Sequence, residues 1–259
     1  MKRPLIVLLL ACTALSGCAT SNKPSRGGST GSSARVLVFT LTRGFHHASI
    51  PAAVEAVKRL GAEHGFAVVT TDDPSAFTDA GLARYRAVVF LLTTGDVLDN
   101  AQQTAFERYI ARGGGYVGVH SASDTEYGWA WYGRLVGAFF KSHPRIQRAT
   151  VLVHDQMLAA TRPLPARWMR TDEWYNFRTD PSARVHVLLT VDERTYNGGT
   201  MGADHPIAWC HDFDGGRAWY TAMGHVSSAY SESLFLAHLL RGIIYASRLD
   251  PAACPVVAR

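Results

Sequence analysis

Short runs of apolar, β-branched residues alternate with helical stretches through the first half of the chain. Residues 35–40 (RVLVFT) read as a buried first strand. Pro51 opens a helix that continues AAVEAVKRLGAEH, and Gly65 breaks it ahead of FAVVTT. The unit repeats in AVVFLLTT after Tyr85 and Arg86, then in a helix from Asp99 (DNAQQTAFERYIARG). Gly113 to Gly115 lie beyond that helix, before a strand, YVGVH, that ends at His120. Strand, helix and strand in this order predict a parallel sheet covered on both faces, with chemistry at the C-terminal ends of the strands. The polar residues of this half, Arg43 to His47, Asp72 and Asp73, Thr93 to Asp96 and His120 to Asp124, all fall at that edge.

After a helix over residues 129–138 the pattern changes. Residues 149–154 and 185–190 are strand-like but separated by a long polar and aromatic segment. HPIAWCHDFDGGRAWYTAMG then reads as two strands around a DGG turn, followed by a closing helix over 232–246. The second half is expected as antiparallel additions laid against the first sheet.

The ends set the organisation. Residues 1–17 combine Lys2 and Arg3, an apolar core and small residues, the pattern of an export signal too short to be a comfortable membrane span. The ending Leu15, Ser16, Gly17, Cys18 resembles a lipobox, so the mature chain is expected to start at a lipidated Cys18. With Ala19 rather than aspartate next, the expectation is a lipoprotein anchored in the outer membrane and facing the periplasm. Residues 18–34 form a small, polar tether, residues 35–248 one domain and residues 249–259 a loose tail. The formal charge of +5 drops to +3 without Lys2 and Arg3, and no basic stripe remains, which argues against nucleic acid. Cys210 and Cys254 allow one bridge in an oxidising compartment.

His120 stands at a strand exit with Ser121, Asp124, Thr125 and Glu126 close behind. So many polar groups must face solvent or satisfy one another. Four more stretches share this character: GFHH with His46 and His47, KSHP with His143, TDEWY with Asp172, Glu173, Trp174 and Tyr175, and the pair GADHP and AMGH with Asp204, His205 and His225. Such groups bind a divalent metal or act as acid and base without one, and the spacing leaves both open. Aromatic side chains crowd the second half; Trp131, Trp174 and Tyr175, beside polar neighbours, suit stacking against a sugar ring. There is no glycine-rich nucleotide loop after the first strand, hence no nucleotide cofactor is expected, and GVHSA lacks the serine of a hydrolase elbow.

These stretches resemble the ThuA-like (trehalose-utilisation) family of the class I glutamine amidotransferase-like superfamily. The resemblance spans residues 35–247 and rests on GFHHASI (44–50), GYVGVHSASDT (115–125), WYGRLVGAFFKSHPRIQ (131–147), DEWYNF (172–177), HVLLTVDERTYNGG (186–199), MGADHPIAW (201–209) and GHVSSAY (224–230). It implies an α/β, flavodoxin-like three-layer sandwich with a parallel core sheet and antiparallel additions. In that superfamily the turn occupied here by GVHSA carries a cysteine nucleophile. His120 stands in its place, so glutamine hydrolysis is not implied.

The resemblance implies work on trehalose-like disaccharides or their 3-keto forms, by hydrolysis or elimination; a non-catalytic carbohydrate-binding lipoprotein is the alternative. The expected catalytic residues are His120, Glu173, Asp172, Asp124 and His225. Expected at the substrate are His46, His47, Ser121, Trp131, Trp174, Tyr175 and Asp204. A zinc-like metal would take His120, His205, His225 and Glu173.

Overall fold

A computed structural model describes residues 34–154, 161–251 and 254–255. The signal, Cys18 and the tether lie outside these, as does much of the tail. The first half follows the expected alternation: β1 (Arg35–Phe39), α1 (Ile50–His64), β2 (Ala67–Thr71), α2 (Asp79–Leu82), β3 (Ala87–Leu91), α3 (Asn100–Ala111) and β4 (Gly115–Val119). The strands pair in parallel in the order β2, β1, β3, β4. β3 and β4 are buried throughout, which explains their continuous apolar runs. Local chemistry sets the helix ends: Pro51 lies in the first turn of α1 and Gly65 closes it at φ 77°. Asp99 and Gln102 form a reciprocal capping box on α3.

The second half comprises α4 (Ala130–Val136), β5 (Phe140–Ser142), β6 (Gln147–Val153), β7 (Arg167–Asp172), β8 (Asn176–Phe177), β9 (His186–Asp192), β10 (Pro206–Phe213), β11 (Gly216–Thr221) and α5 (Ser233–Ala246). β11, β10, β9, β6 and β7 do not lie on the first sheet but extend it at one edge, giving nine strands in the order β2, β1, β3, β4, β11, β10, β9, β6, β7. The physical reason is the free edge of β4, whose backbone groups need partners. β11 supplies them in parallel register from Arg217 opposite Gly115 to Thr221 opposite Val119. Asp214 and Gly215 make the two-residue turn between β10 and β11, both with positive φ (52° and 92°), as a type I′ hairpin demands.

β7 was hidden in the polar segment of the sequence. Every second residue points inward, and two of these, Arg170 and Asp172, are charged. Burial of an ion pair on the core face masks the alternation that marks a strand. β5 pairs with the two-residue β8 as a separate two-stranded sheet.

Cys254, in the stretch expected to be loose, is buried and disulfide-bonded to Cys210 on β10, 44 residues away. Closing a loop of this size in the unfolded chain is worth about 4 kcal/mol on the chain-entropy model, less where native geometry is strained. Reduction is therefore expected to lower the unfolding free energy by about 2–4 kcal/mol, measurable as a lower urea midpoint in reductant.

His238 on α5, whose sequence neighbourhood resembles a helix surface, is instead buried against Trp219 and Phe235, with neither ring nitrogen hydrogen-bonded among the described residues. Burial, reinforced by nearby Arg170, lowers its pKa from 6.5 to about 3. Between these values the unfolded chain holds a proton that the folded chain refuses, so stability falls as pH drops through this window, by about 1.4 kcal/mol per unit from this group. His238→Leu is expected to flatten that dependence. Urea unfolding at about pH 7 and about pH 5 checks it; an unchanged slope would show that His238 is not buried neutral.

Candidate active site

β4 ends at Val119, and His120 takes a left-handed backbone (φ 53°) before a 3₁₀ turn over His120–Asp124. For a non-glycine residue this conformation is uncommon and costs about 1–3 kcal/mol. Surrounding bonds hold it there: the Tyr220 hydroxyl donates to the His120 carbonyl (2.8 Å), and the ring Nδ1 lies 2.6 Å from the Ala222 carbonyl. A carbonyl only accepts, so Nδ1 carries a proton and Nε2 is free to accept or ligate. The Tyr175 hydroxyl donates to that Nε2 (2.9 Å), with its ring 4.3 Å from the imidazole. Burial, with surrounding negative groups, drives the Tyr175 pKa far above 10, so its hydroxyl is a donor.

Two further segments converge on this nitrogen. Glu173 follows β7, and its Oε2 is 3.4 Å from His120 Nε2 and 3.2 Å from His225 Nδ1; the two ring nitrogens are 3.2 Å apart. Asp172 ties both segments in place. Its Oδ1 accepts from the backbone amides of Glu173 (2.9 Å) and His225 (3.1 Å), and its Oδ2 from Gly224 (2.9 Å) and the Arg170 guanidinium (2.9 Å). Gly224 sits at φ 114°, a backbone that glycine alone adopts freely, and this turns both amides toward one carboxylate.

His47, from the loop between β1 and α1, completes the group. One ligand atom each from His47, His120, Glu173 and His225 lies within 4.8 Å of every other. Burial and then the neighbouring His120 and His225 lower the His47 pKa to about 3, so it is neutral at ordinary pH. Burial opposes ionisation of Glu173, but the His120 and His225 rings outweigh it and hold the carboxyl well below its usual range. Glu173 in turn raises His225, against the opposing effect of burial.

Three acceptor atoms this close need a shared cation, either a proton or a metal ion. Their separations of 3.2, 3.2 and 3.4 Å match the roughly 3.3 Å between donors of a tetrahedral ion with bonds of about 2.05 Å. The fixed Nδ1 of His120 and the amide-bound Asp172 are the supporting contacts that metal-ligating residues require. The donor set therefore fits a zinc-like divalent ion.

The other candidates fall elsewhere. His46 is exposed, bonded to Thr42, and its neighbour His47 takes the inner place. His205 is not a member of the donor group: its Nδ1 pairs with Glu193 (2.8 Å) and its Nε2 bonds the Tyr175 carbonyl (2.7 Å), so it braces Tyr175 from behind. Asp172 turns to backbone amides and Arg170. Asp124 accepts from Tyr127 (2.6 Å), and burial raises its pKa. Ser121 lies under His47 (3.4 Å).

Trp131 bonds Asp214 in the β10–β11 turn, at the edge of the sheet where β4 begins, opposite the site. Trp174 is buried, its indole N–H given to the Gln147 carbonyl. Asp204 is exposed before β10. Two residues without an assigned role in the sequence reading lie at the mouth: His143, 41% exposed, with Nδ1 3.2 Å from Glu173 Oε1, and Phe45, packed edge-on against His47.

Fold and site together define an α/β protein of the flavodoxin-like class, with a histidine at the strand exit and a cluster of imidazoles and one carboxylate above it. The chain belongs to the ThuA family, described as trehalose utilisation, whose model matches residues 35–246. Membership implies a sugar-related role. Similar solved structures include a putative ThuA-like protein from Bacteroides uniformis (24% identity, 84% of this chain and 96% of that one, TM-score 0.69) and another from Parabacteroides merdae (21%, 88% and 92%, TM-score 0.70). A β-galactosidase from Bacillus circulans sp. alkalophilus shares the fold over 30% of its length (12% identity, 82% of this chain, TM-score 0.55). No match was found among curated proteins.

Proposed function

We propose that this chain is an exported carbohydrate-active enzyme that opens the glycosidic bond of a 3-keto-glycoside derived from a trehalose-like disaccharide. The observation that carries this reading is the group of His47, His120, Glu173 and His225, with donor atoms within 4.8 Å at the C-terminal end of the parallel strands, in a family tied to trehalose. A 3-keto group acidifies the C2–H bond. A base removes that proton, the C–H electrons form the C1=C2 bond, the C1–O bond breaks, and the departing oxygen takes a proton. Water added back across C1=C2 gives net hydrolysis.

A divalent metal held by these four residues would supply Lewis-acid stabilisation of the negative charge on the C3 oxygen. The chain's own groups do the rest. His120 Nε2 has one lone pair, so a metal there would displace the hydrogen bond from Tyr175 and free that hydroxyl to donate to bound sugar. His143, exposed and beside Glu173, is the imidazole placed to exchange a proton with bound sugar.

The test incubates the mature protein with disaccharides and their 3-keto derivatives, with and without chelator, and follows products by mass. Cleavage of the keto forms, lost on chelation and restored by metal, is expected. Tight sugar binding without product under every metal condition would instead support the binding-protein reading.

Export and anchoring through Cys18 belong to the same proposal, supported by the lipobox-like LSGC and by a buried disulfide suited to an oxidising compartment. Cys18→Ser is expected to release the protein from membranes or leave it unprocessed. Membrane fractionation of the variant at mature size would overturn the anchor.

A further inference from the structure

Phe45 is 64% exposed, the highest exposure among the exposed large apolar side chains of the described residues. The backbone on both sides of the ring is fixed by hydrogen bonds. The Gly44 amide donates to Thr94 Oγ1 (3.2 Å), the same hydroxyl donates to the Phe45 carbonyl (2.9 Å), and the Arg43 amide donates to the Thr94 carbonyl (2.7 Å). Thr94 is itself fully buried. A single exposed apolar side chain is ordinary on a protein surface; what sets Phe45 apart is that this ring is held on a fixed mount directly beside the donor group.

The ring lies beside the donor group. Its centroid is 4.8 Å from that of His47 at an interplanar angle of 80°, and His47 meets His120 at 4.9 Å and His225 at 5.1 Å. Phe45 is thus one ring-width outward from the atoms that would face the reacting sugar. A sugar unit at the donor atoms leaves its glycosidic neighbour above Phe45. Phenylalanine has no polar tip, so it recognises the C–H face of a pyranose and not its hydroxyls.

We infer that Phe45 is the platform for the second sugar unit of a disaccharide whose first unit reacts at His47, His120, Glu173 and His225. The inference rests on the carbohydrate reading above and adds to it that the site takes two linked rings. The platform is a specificity element, since it rewards a disaccharide over a free monosaccharide.

The test measures binding of trehalose, 3-keto-trehalose and glucose by calorimetry to the zinc-loaded mature protein and to Phe45→Ala and Phe45→Trp. Phe45→Ala is expected to weaken the better-bound disaccharide about tenfold or more while glucose binding, zinc affinity and melting temperature stay as in the parent. Phe45→Trp is expected to retain disaccharide affinity. Unchanged disaccharide binding by Phe45→Ala overturns the platform and leaves the carbohydrate reading standing. An equal loss for glucose and disaccharide also overturns it, placing Phe45 at the first unit. A parent protein that binds none of the three sugars overturns the reading of the site and the platform together.

Discussion

Glu173→Gln is expected to lose most of its metal affinity and at least about 10²-fold in turnover, with little change in fold. Glutamine has the shape of glutamate, so packing around a residue only 6% exposed is preserved. What changes is charge and polarity. Glu173 is the one anion among the four candidate ligands, and its Oε2 is the atom that faces both His120 Nε2 and His225 Nδ1. An amide offers a weaker neutral oxygen there, or an NH₂ group that cannot ligate. His225 loses the partner that raises its pKa, so its midpoint should move down, visible in an imidazole NMR titration of the metal-free protein. Metal content by mass spectrometry and turnover of the 3-keto substrate check the main expectation. A variant that keeps both would remove Glu173 from the site, and His120→Ala, which removes the central nitrogen, should then be inspected for the same indifference.

The alternation of strands and helices up to His120 was legible because both faces of the parallel sheet are covered and its strands read as continuous apolar runs. The turn at Asp214 and Gly215 was legible because its backbone needs positive φ at two successive residues. The place of the second half was not, since nothing local in β11 says that it will pair with β4 instead of lying across it.

The site was legible as a set of segments and less so as a set of roles. His46 and His47 are adjacent in sequence, and which one turns inward is decided by bonds from the loop to Thr94, some fifty positions along. His205 sits among the same kinds of neighbours as His225, yet Glu193 and the Tyr175 carbonyl occupy both of its nitrogens. Trp131 lies on a helix whose direction carries it to the far edge of the sheet. Phe45 gave only the signal of an apolar residue between a glycine and two histidines, and its exposure is a property of the folded loop.

Asp172→Ala is expected to be the most damaging single change to stability, lowering the unfolding free energy by about 3–5 kcal/mol and metal affinity by about 10- to 100-fold. Asp172 is fully buried and accepts four hydrogen bonds, three from backbone amides and one from Arg170. Its loss has two separable consequences. The first is electrostatic: among the described residues the buried Arg170 guanidinium keeps the weaker, half-exposed Glu232 at 3.7 Å and its contacts with the Trp168 and Phe235 rings. The second is geometric: the amides of Glu173, Gly224 and His225 lose their common acceptor, so the two segments bearing Glu173 and His225 are no longer tied to one point.

Combining Asp172→Ala with Arg170→Met separates the two. The double variant removes the stranded charge and should recover much of the stability, while metal affinity should stay low because the amides remain unpaired. Denaturant unfolding and metal titration on the same samples decide it. Recovery of both quantities together would mean that Asp172 serves only to neutralise Arg170, and that the ligand-bearing segments are held by contacts other than this carboxylate.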